Sequence, residues 1–351
     1  MQLDTWLIQG GGFHFGLHGL GQEETAPCFP SDSLFAALLA RLAHLAGAQA
    51  VEEFTGLFQQ DSPPFVLSST FPFAGQVLFY PTPASARRGE AAGVTAKQLK
   101  KASYLSGSLF RALLDGQPLV ERYPGALKLQ GGSLLASPEE AALLPKSLQD
   151  DPSALIWQVE QRPRVTLGRA AQNSNIFFTG RVSYAADCGL WFAVRWLRED
   201  AALKARLVEL LGELAEFGLG AERSIGFGAC TIRPAASIQL PEPGGGAWLT
   251  LSRYLPRPDE MAALQHPDAC YTLRSVGGWL DSPVRSGQRR RPVNLLAEGS
   301  IFGPLSRPIP GRVVDVRPSY ESNPDPLKHP VYRSGLALAV RCQPPVFSPG
   351  G

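Results

Sequence analysis

Gly218-Leu219-Gly220-Ala221-Glu222-Arg223-Ser224-Ile225-Gly226-Phe227-Gly228 follows an amphipathic stretch and runs straight into Ala229-Cys230-Thr231-Ile232-Arg233-Pro234. Upstream, Leu203, Leu207, Leu210, Leu211, Leu214 and Phe217 recur at helical spacing behind Asp200, with Glu209, Glu213 and Glu216 between them. That period predicts a helix with one apolar face, capped by Asp200 and closed at Gly218. The order is helix, glycine loop, strand. A dinucleotide fingerprint needs a strand that feeds a glycine loop opening a helix, so the usual nucleotide-fold readings are excluded. Four glycines in eleven residues, with Arg223 and Ser224, instead suit close approach of backbone amides and a guanidinium to a phosphate such as an RNA backbone. A tight helix-to-strand turn accounts for the same glycines without any ligand.

Outward from the loop, Gly189-Leu190-Trp191-Phe192-Ala193-Val194-Arg195-Trp196 and the preceding Asn175 to Tyr184 run read as two strands of a hairpin, and Val165-Thr166-Leu167 as a strand before them. The chain begins with a strand over residues 3 to 8, followed by Gly10-Gly11-Gly12 and Phe13-His14-Phe15-Gly16. After Pro30, Leu34, Phe35, Leu38, Leu39, Leu42 and Leu45 predict a core helix capped by Ser31 or Asp32, with Gly47 just past its end. Residues 65 to 80 read as strands broken by Pro72 and Gly75. From about 81 to 163 the pattern weakens into an inserted segment with a helix at 95 to 114. Pro241-Glu242-Pro243-Gly244-Gly245-Gly246 reads as a linker, which sets a domain boundary near 236 to 246. Beyond it, Trp248 to Leu251, Cys270 to Leu273 and Gly335 to Val340 supply the strands of a smaller unit.

The 351 residues suffice for about two domains, and 33 Lys+Arg against 31 Asp+Glu leave a formal charge of +2. A chain so balanced is no global polycation, so an anion site has to be local. With 44% hydrophobic residues the chain is not intrinsically disordered, and 36 Gly with 31 Pro argue against a helical bundle. Cys28, Cys188, Cys230, Cys270 and Cys342 are odd in number and widely spaced, which indicates neither a disulfide framework nor a zinc knuckle. The N-terminus lacks the basic and apolar regions of a signal peptide, no membrane span is read, and the expected location is cytoplasmic.

Three groups of residues stand out chemically. His14 and His18 are four apart, but the surrounding glycines disfavour the helix that would align them, and no third ligand is near, so metal binding is not indicated. His14 is the best of the five histidines as a general acid or base; an RNA-contacting or loop-packing role is the alternative. Arg285, Arg289, Arg290 and Arg291 form a local positive patch, read equally as phosphate contacts or as a solvated loop. Arg162, Arg164 and Arg169 before the presumed hairpin have the same two readings.

The first-strand motif Phe13-His14-Phe15-Gly16, the helix start Ser31-Asp32-Ser33-Leu34-Phe35-Ala36-Ala37-Leu38 and the glycine loop occur together and in order. In that combination the chain resembles the RAMP superfamily of CRISPR proteins. Arg291-Pro292-Val293, Glu298-Gly299-Ser300 and His329-Pro330-Val331-Tyr332-Arg333-Ser334-Gly335 are similar to the fourth-subunit family of type III-A, Csm-type effector complexes. The resemblance covers both ends of the chain and leaves the insertion unmatched. It implies an α+β fold of two tandem ferredoxin-like (RRM-like) domains with antiparallel sheets, over 1–238 and 247–345. It also implies a non-catalytic, cofactor-free subunit of antiviral defence that holds the repeat-derived 5′ handle of crRNA and contacts the large polymerase-like subunit and the backbone RAMP subunit. By that analogy His14, Ser31, Arg164, Arg169, Gly218, Gly220, Arg223, Ser224, Gly226, Gly228, Arg289, Arg290 and Arg291 are expected to bind RNA, with Ser31 and Asp32 facing the glycine loop. Phe13, Phe15 and Phe227 are expected to stack bases. A RAMP endoribonuclease, the corresponding subunit of a type III-B complex, and a pure protein scaffold are the alternatives. The 123 residues after Gly228 argue against the nuclease, whose glycine loop resembles a feature near the C-terminus.

Overall fold

The structure, a computed structural model, describes residues 1–16, 24–87, 93–167, 174–280, 288–318 and 329–343. His18, Arg169 and Arg285 lie outside the described residues.

β1 (Gln2–Gly10) is a central strand of the main sheet. Leu3, Ile8 and Thr5 are buried, because β1 has a neighbour on each side and helices across one face. α1 (Ser31–Phe58) follows, then β2 (Phe65–Leu67), β3 (Phe71–Ala74) and β4 (Val77–Pro81). Pro72 does not break β3. It sits within the strand opposite Leu190, and the turn is made at Gly75, where φ is +60°. Gly47, at φ +82°, does interrupt α1, but helix resumes and carries Val51, Phe54 and Phe58 into the core beyond Leu34, Phe35, Leu38, Leu39 and Leu42. By length and composition α1 is apolar enough to cross a membrane; here its buried residues pack against the sheet.

The inserted segment extends the same sheet. α2 (Ala96–Lys101), β5 (Tyr104–Ser106) and α3 (Gly107–Leu114) replace the single helix expected at 95 to 114. Thr95 and Gln98 start α2 with a reciprocal capping box, and Ala102 leaves it in extended conformation. After α4 (Leu119–Arg122) come β6 (Leu127–Leu129), β7 (Leu134–Ala136) and α5 (Lys146–Asp150). β8 (Trp157–Leu167) and β9 (Ser174–Tyr184) then form a long two-stranded ribbon. β10 (Cys188–Trp196), α6 (Ala201–Phe217) and β11 (Cys230–Gln239) complete the first half. Asp200 caps α6 as expected, accepting a 3.0 Å bond from the Leu203 amide.

The sheet order is β11-β1-β10-β3-β4-β5-β7-β6, with β2 also on β10. The hairpin expected between residues 175 and 196 does not form. β9 pairs with β8, whereas β10 inserts between β1 and β3. Both runs are apolar enough for either partner, and pairing across the sheet is what buries the whole of β10 from Cys188 to Val194. α6 packs on α1 and on β11, which places the helices over one face of a mostly antiparallel sheet, an α+β arrangement.

The second half is built from shorter elements than the first. Its strands β12 (Trp248–Thr250), β13 (Leu273–Val276), β14 (Val293–Leu296), β15 (Ile301–Phe302), β16 (Val313–Asp315), β17 (Tyr332–Ser334) and β18 (Ala339–Arg341) are short, and its α-helix among the described residues is α7 (Met261–Leu264). Apolar residues on both sides of the Pro/Gly segment share a core. Leu249, Leu251, Leu336, Leu338 and Val340 belong to the same apolar cluster as β1 and α1, while Trp248, Tyr254 and Phe302 form a smaller cluster. The Ser69 amide donates to the Leu251 carbonyl at 2.9 Å, which joins the halves through backbone as well.

Candidate nucleic-acid interface

The glycine loop closes on the segment after β1. The Ala221 amide donates to the His14 carbonyl at 2.9 Å, and the Gly228 amide to the Gly12 carbonyl at 2.8 Å. Gly220, at φ +96°, lies so close that a Cβ would stand 2.6 Å from the His14 carbonyl oxygen. Gly228, at φ +86°, has the same constraint against the Leu219 carbonyl at 2.5 Å. Both positions need glycine for positive φ and for close approach at once. Within the loop, Ile225 and Phe227 amides bond to Glu222, the Gly226 amide to Arg223, and the Leu219 amide to Gly228. Most of the amides expected to hold a phosphate are therefore already used. The loop exposes Ala221, Ser224, Ile225 and Gly226, with Arg223, in the same short 3₁₀ turn as Ser224 and Ile225, partly exposed.

The ribbon is tied to the same place. Phe13 and Val182 exchange backbone bonds of 2.8 and 2.9 Å. His14 is 4% exposed, and its Nδ1 lies 2.7 Å from the Gly180 carbonyl, which fixes it as a strut between β1 and β9. This corrects its reading as an RNA contact or acid-base group. Phe13 and Phe15 are likewise buried and stack on each other at 5.2 Å, so neither is open to a base. Phe227 remains partly exposed, with the Arg181 guanidinium 5.8 Å from its ring. Arg181, which the sequence reading missed, also donates to the Gly11 carbonyl. On β8, Arg164 stands opposite Phe177 and is partly buried. One ribbon face bears Glu160, Arg162 and Arg164; the other exposes Val159, Val165, Ile176 and Phe178.

Ser31 and Asp32 neither cap α1 nor face the glycine loop; they are bonded to the second half. The Arg253 amide donates to Ser31 Oγ at 2.8 Å, and Arg333 Nη1 reaches Asp32 Oδ2 at 3.1 Å. Asp32 is 0% exposed and Arg333 is 7% exposed. Ser31, Ser69, Glu298 and Arg253 form a chain of bonds beside this pair. The tail motifs thus explain themselves physically: Glu298 and Arg333 fasten the second half to the first turn of α1.

The three consecutive arginines separate. Arg290 turns inward, where burial, then the nearby Arg333, pushes its guanidinium down to about 9 against the opposing effect of Asp32. It is partly buried and donates to the Gly277 carbonyl, unlike the outward-facing phosphate contact expected of it. Arg289 lies outward over the Trp279 ring, and Arg291 is exposed, with Nη2 2.7 Å from the Asp315 carbonyl.

Comparison with known proteins fits this arrangement. Residues 244–342 match the model of the CRISPR Csm4 C-terminal domain. A curated relative from Thermococcus onnurineus (strain NA1), "CRISPR system Cms protein Csm4", is 26% identical over 281 residues, 77% of this chain and 80% of the relative. The chain is similar to Csm4, by family model over 244–342 and by sequence over most of its length. Among solved structures, a chain of the Csm3-Csm4 subcomplex of the type III-A CRISPR-Cas interference complex superposes with TM-score 0.66 at 16% identity, over 97% of this chain and all of that one. A chain of the Csm1-Csm4 cassette with pppApA superposes with TM-score 0.57 at 20% identity, over 98% and 99%. The likeness in fold spans the insertion and both halves.

Proposed function

We propose that the chain is the non-catalytic subunit of a type III-A CRISPR effector complex that caps the repeat-derived 5′ handle of crRNA, in cytoplasmic antiviral defence. It contacts a large polymerase-like subunit and a backbone RAMP subunit, a reading supported by the similar Csm4 chains having been crystallised with Csm3 and with Csm1. The β11-β1-β10-β2 order supports reading 1–238, with its insertion, as a ferredoxin-like unit, and 247–345 as its reduced companion.

The observation that carries the RNA reading is the joint of the glycine loop, the segment after β1 and the ribbon: a glycine-closed platform with Arg181, Arg223 and Ser224 on it and the arginine-bearing ribbon bonded to it. A platform fixed by its own hydrogen bonds holds arginines at set positions, which suits a bound backbone of fixed path. The Val159, Val165, Ile176 and Phe178 face suits a neighbouring subunit. His14 is committed to the Gly180 carbonyl and is covered, which supports a binding rather than a cleaving role.

The test is a titration with RNA carrying a repeat-derived 5′ handle against a scrambled control, with and without the large subunit. Handle preference without cleavage is expected. Arg223→Ala is expected to weaken binding and to reduce the salt slope by about one. Equal binding of both RNAs, or an unchanged slope in the variant, overturns the assignment.

A further inference from the structure

β13 and β14 with the residues that flank them make a second surface, unlike the glycine loop. Over residues 271–280 and 288–296 there are four arginines (Arg274, Arg289, Arg290 and Arg291) and no acidic residue, in a chain whose total charge is only +2. Arg274, Arg289 and Arg291 are exposed. So are large apolar groups: Tyr271, Leu273 and Trp279, the last at 52%. Trp279 and Arg289 are opposite each other in an antiparallel bridge, and the guanidinium sits 4.6 Å from the ring centroid. The Leu280 amide donates to the Gln288 carbonyl at 2.8 Å, which fixes the pair on backbone. β13 pairs with β14 alone among the described residues.

A half-exposed indole beside a guanidinium combines a flat apolar face with a donor for an anion. A single-stranded nucleic acid supplies both parts: a base for the ring and phosphates for the arginines. The cleft of about 390 Å³ lined by Arg257, Arg307 and Arg312 lacks this property, because Asp61 and Asp259 already pair with Arg257 and Arg307. We propose that Trp279, with Arg289 across its ring, is a stacking site for an unpaired base of a bound RNA, flanked by Arg274 and Arg291 as phosphate contacts. This rests on the RNA-binding reading and adds a second contact outside the glycine loop.

The probe is an unstructured oligouridylate, compared with a blunt RNA duplex that offers phosphates without free base faces, in titrations of the full chain followed by tryptophan fluorescence. Trp279→Leu is expected to weaken oligouridylate binding about tenfold and to remove most of the quenching. Duplex binding stays unchanged, and Trp279→Phe retains the wild-type affinity. An unchanged melting temperature of Trp279→Leu, expected for a half-exposed side chain, excludes misfolding as the cause. If Arg223→Ala weakens handle binding while Trp279→Leu binds oligouridylate like the wild type, the handle reading stands and the stacking site is wrong. If the wild type binds no RNA, both fall. If Trp279→Leu instead loses association with the large subunit in the absence of RNA, the surface is a protein contact and the proposal is overturned.

Discussion

The glycine loop at 218–228 and the strand pair β13–β14 each set arginine beside glycine, and they behave oppositely. In the loop, amides bond to neighbouring carbonyls and the glycines admit the β1 segment to within contact. In the strand pair, arginine and aromatic side chains stay on the outside, and a Cβ added at Gly277 would meet nothing within 4 Å. Density of glycine and arginine therefore does not measure how open a phosphate site is. The deciding quantity is how many donors remain after the fold has taken its share.

The sharpest way to break this contrast lies where the arginine strand turns inward. Asp32→Ala would leave Arg333 and its neighbour Arg290 buried without their carboxylate, and the expected cost is about 3 to 5 kcal/mol in denaturant unfolding. Asp32→Leu with Arg333→Leu is expected to recover most of that loss, since an apolar pair of similar volume avoids burying charge. A single variant that unfolds like the wild type would mean that the pair does not fasten the two halves. Next in size is a matched pair of glycine changes. Gly220→Ala meets the His14 carbonyl at positive φ and is expected to destabilise by about 2 to 4 kcal/mol. Gly277→Ala is expected to stay within about 0.5 kcal/mol, because it has open space and ordinary φ. Equal costs at the two sites would erase the distinction between a closed and an open region.

What could be read from sequence follows the same division. α6, its Asp200 cap and the helix-loop-strand order were legible, because periodicity and capping are local. Strand existence was legible too, but the partner of β10 was not, since antiparallel pairing is set by burial of the whole sheet. Ser31 and Asp32 look like caps because short polar residues before an apolar run usually are; their partners lie some 220 to 300 positions away. His14, Phe13 and Phe15 look functional beside glycines, and the tight loop packing that glycine permits is what buries them. Arg289, Arg290 and Arg291 are indistinguishable as letters, whereas in the fold Arg290 bonds the Gly277 carbonyl and Arg289 lies on the Trp279 ring. The one cue that could have singled out Trp279 is an aromatic close in sequence to an arginine cluster with a single acid, Asp281, nearby.

The smallest expected effect falls in the open region, and it discriminates best between support and decoration. Arg289 touches the Trp279 ring at the surface, where such a contact contributes about 0.5 to 1 kcal/mol. Arg289→Ala should therefore lower stability by no more than that in a chemical denaturation series, while tryptophan emission shifts toward that of a more hydrated indole. Arg290→Ala, one residue on, removes a guanidinium held against the Gly277 carbonyl beside Arg333. There the loss of packing and the relief of a buried, disfavoured charge oppose each other, so its stability change need not track that of Arg289→Ala. Emission is the readout that separates the two, since only the outward arginine lies on the ring. If Arg290→Ala altered the emission and Arg289→Ala did not, the inward and outward assignments would have to be exchanged, and with them the account of why one arginine run serves both the core and the surface.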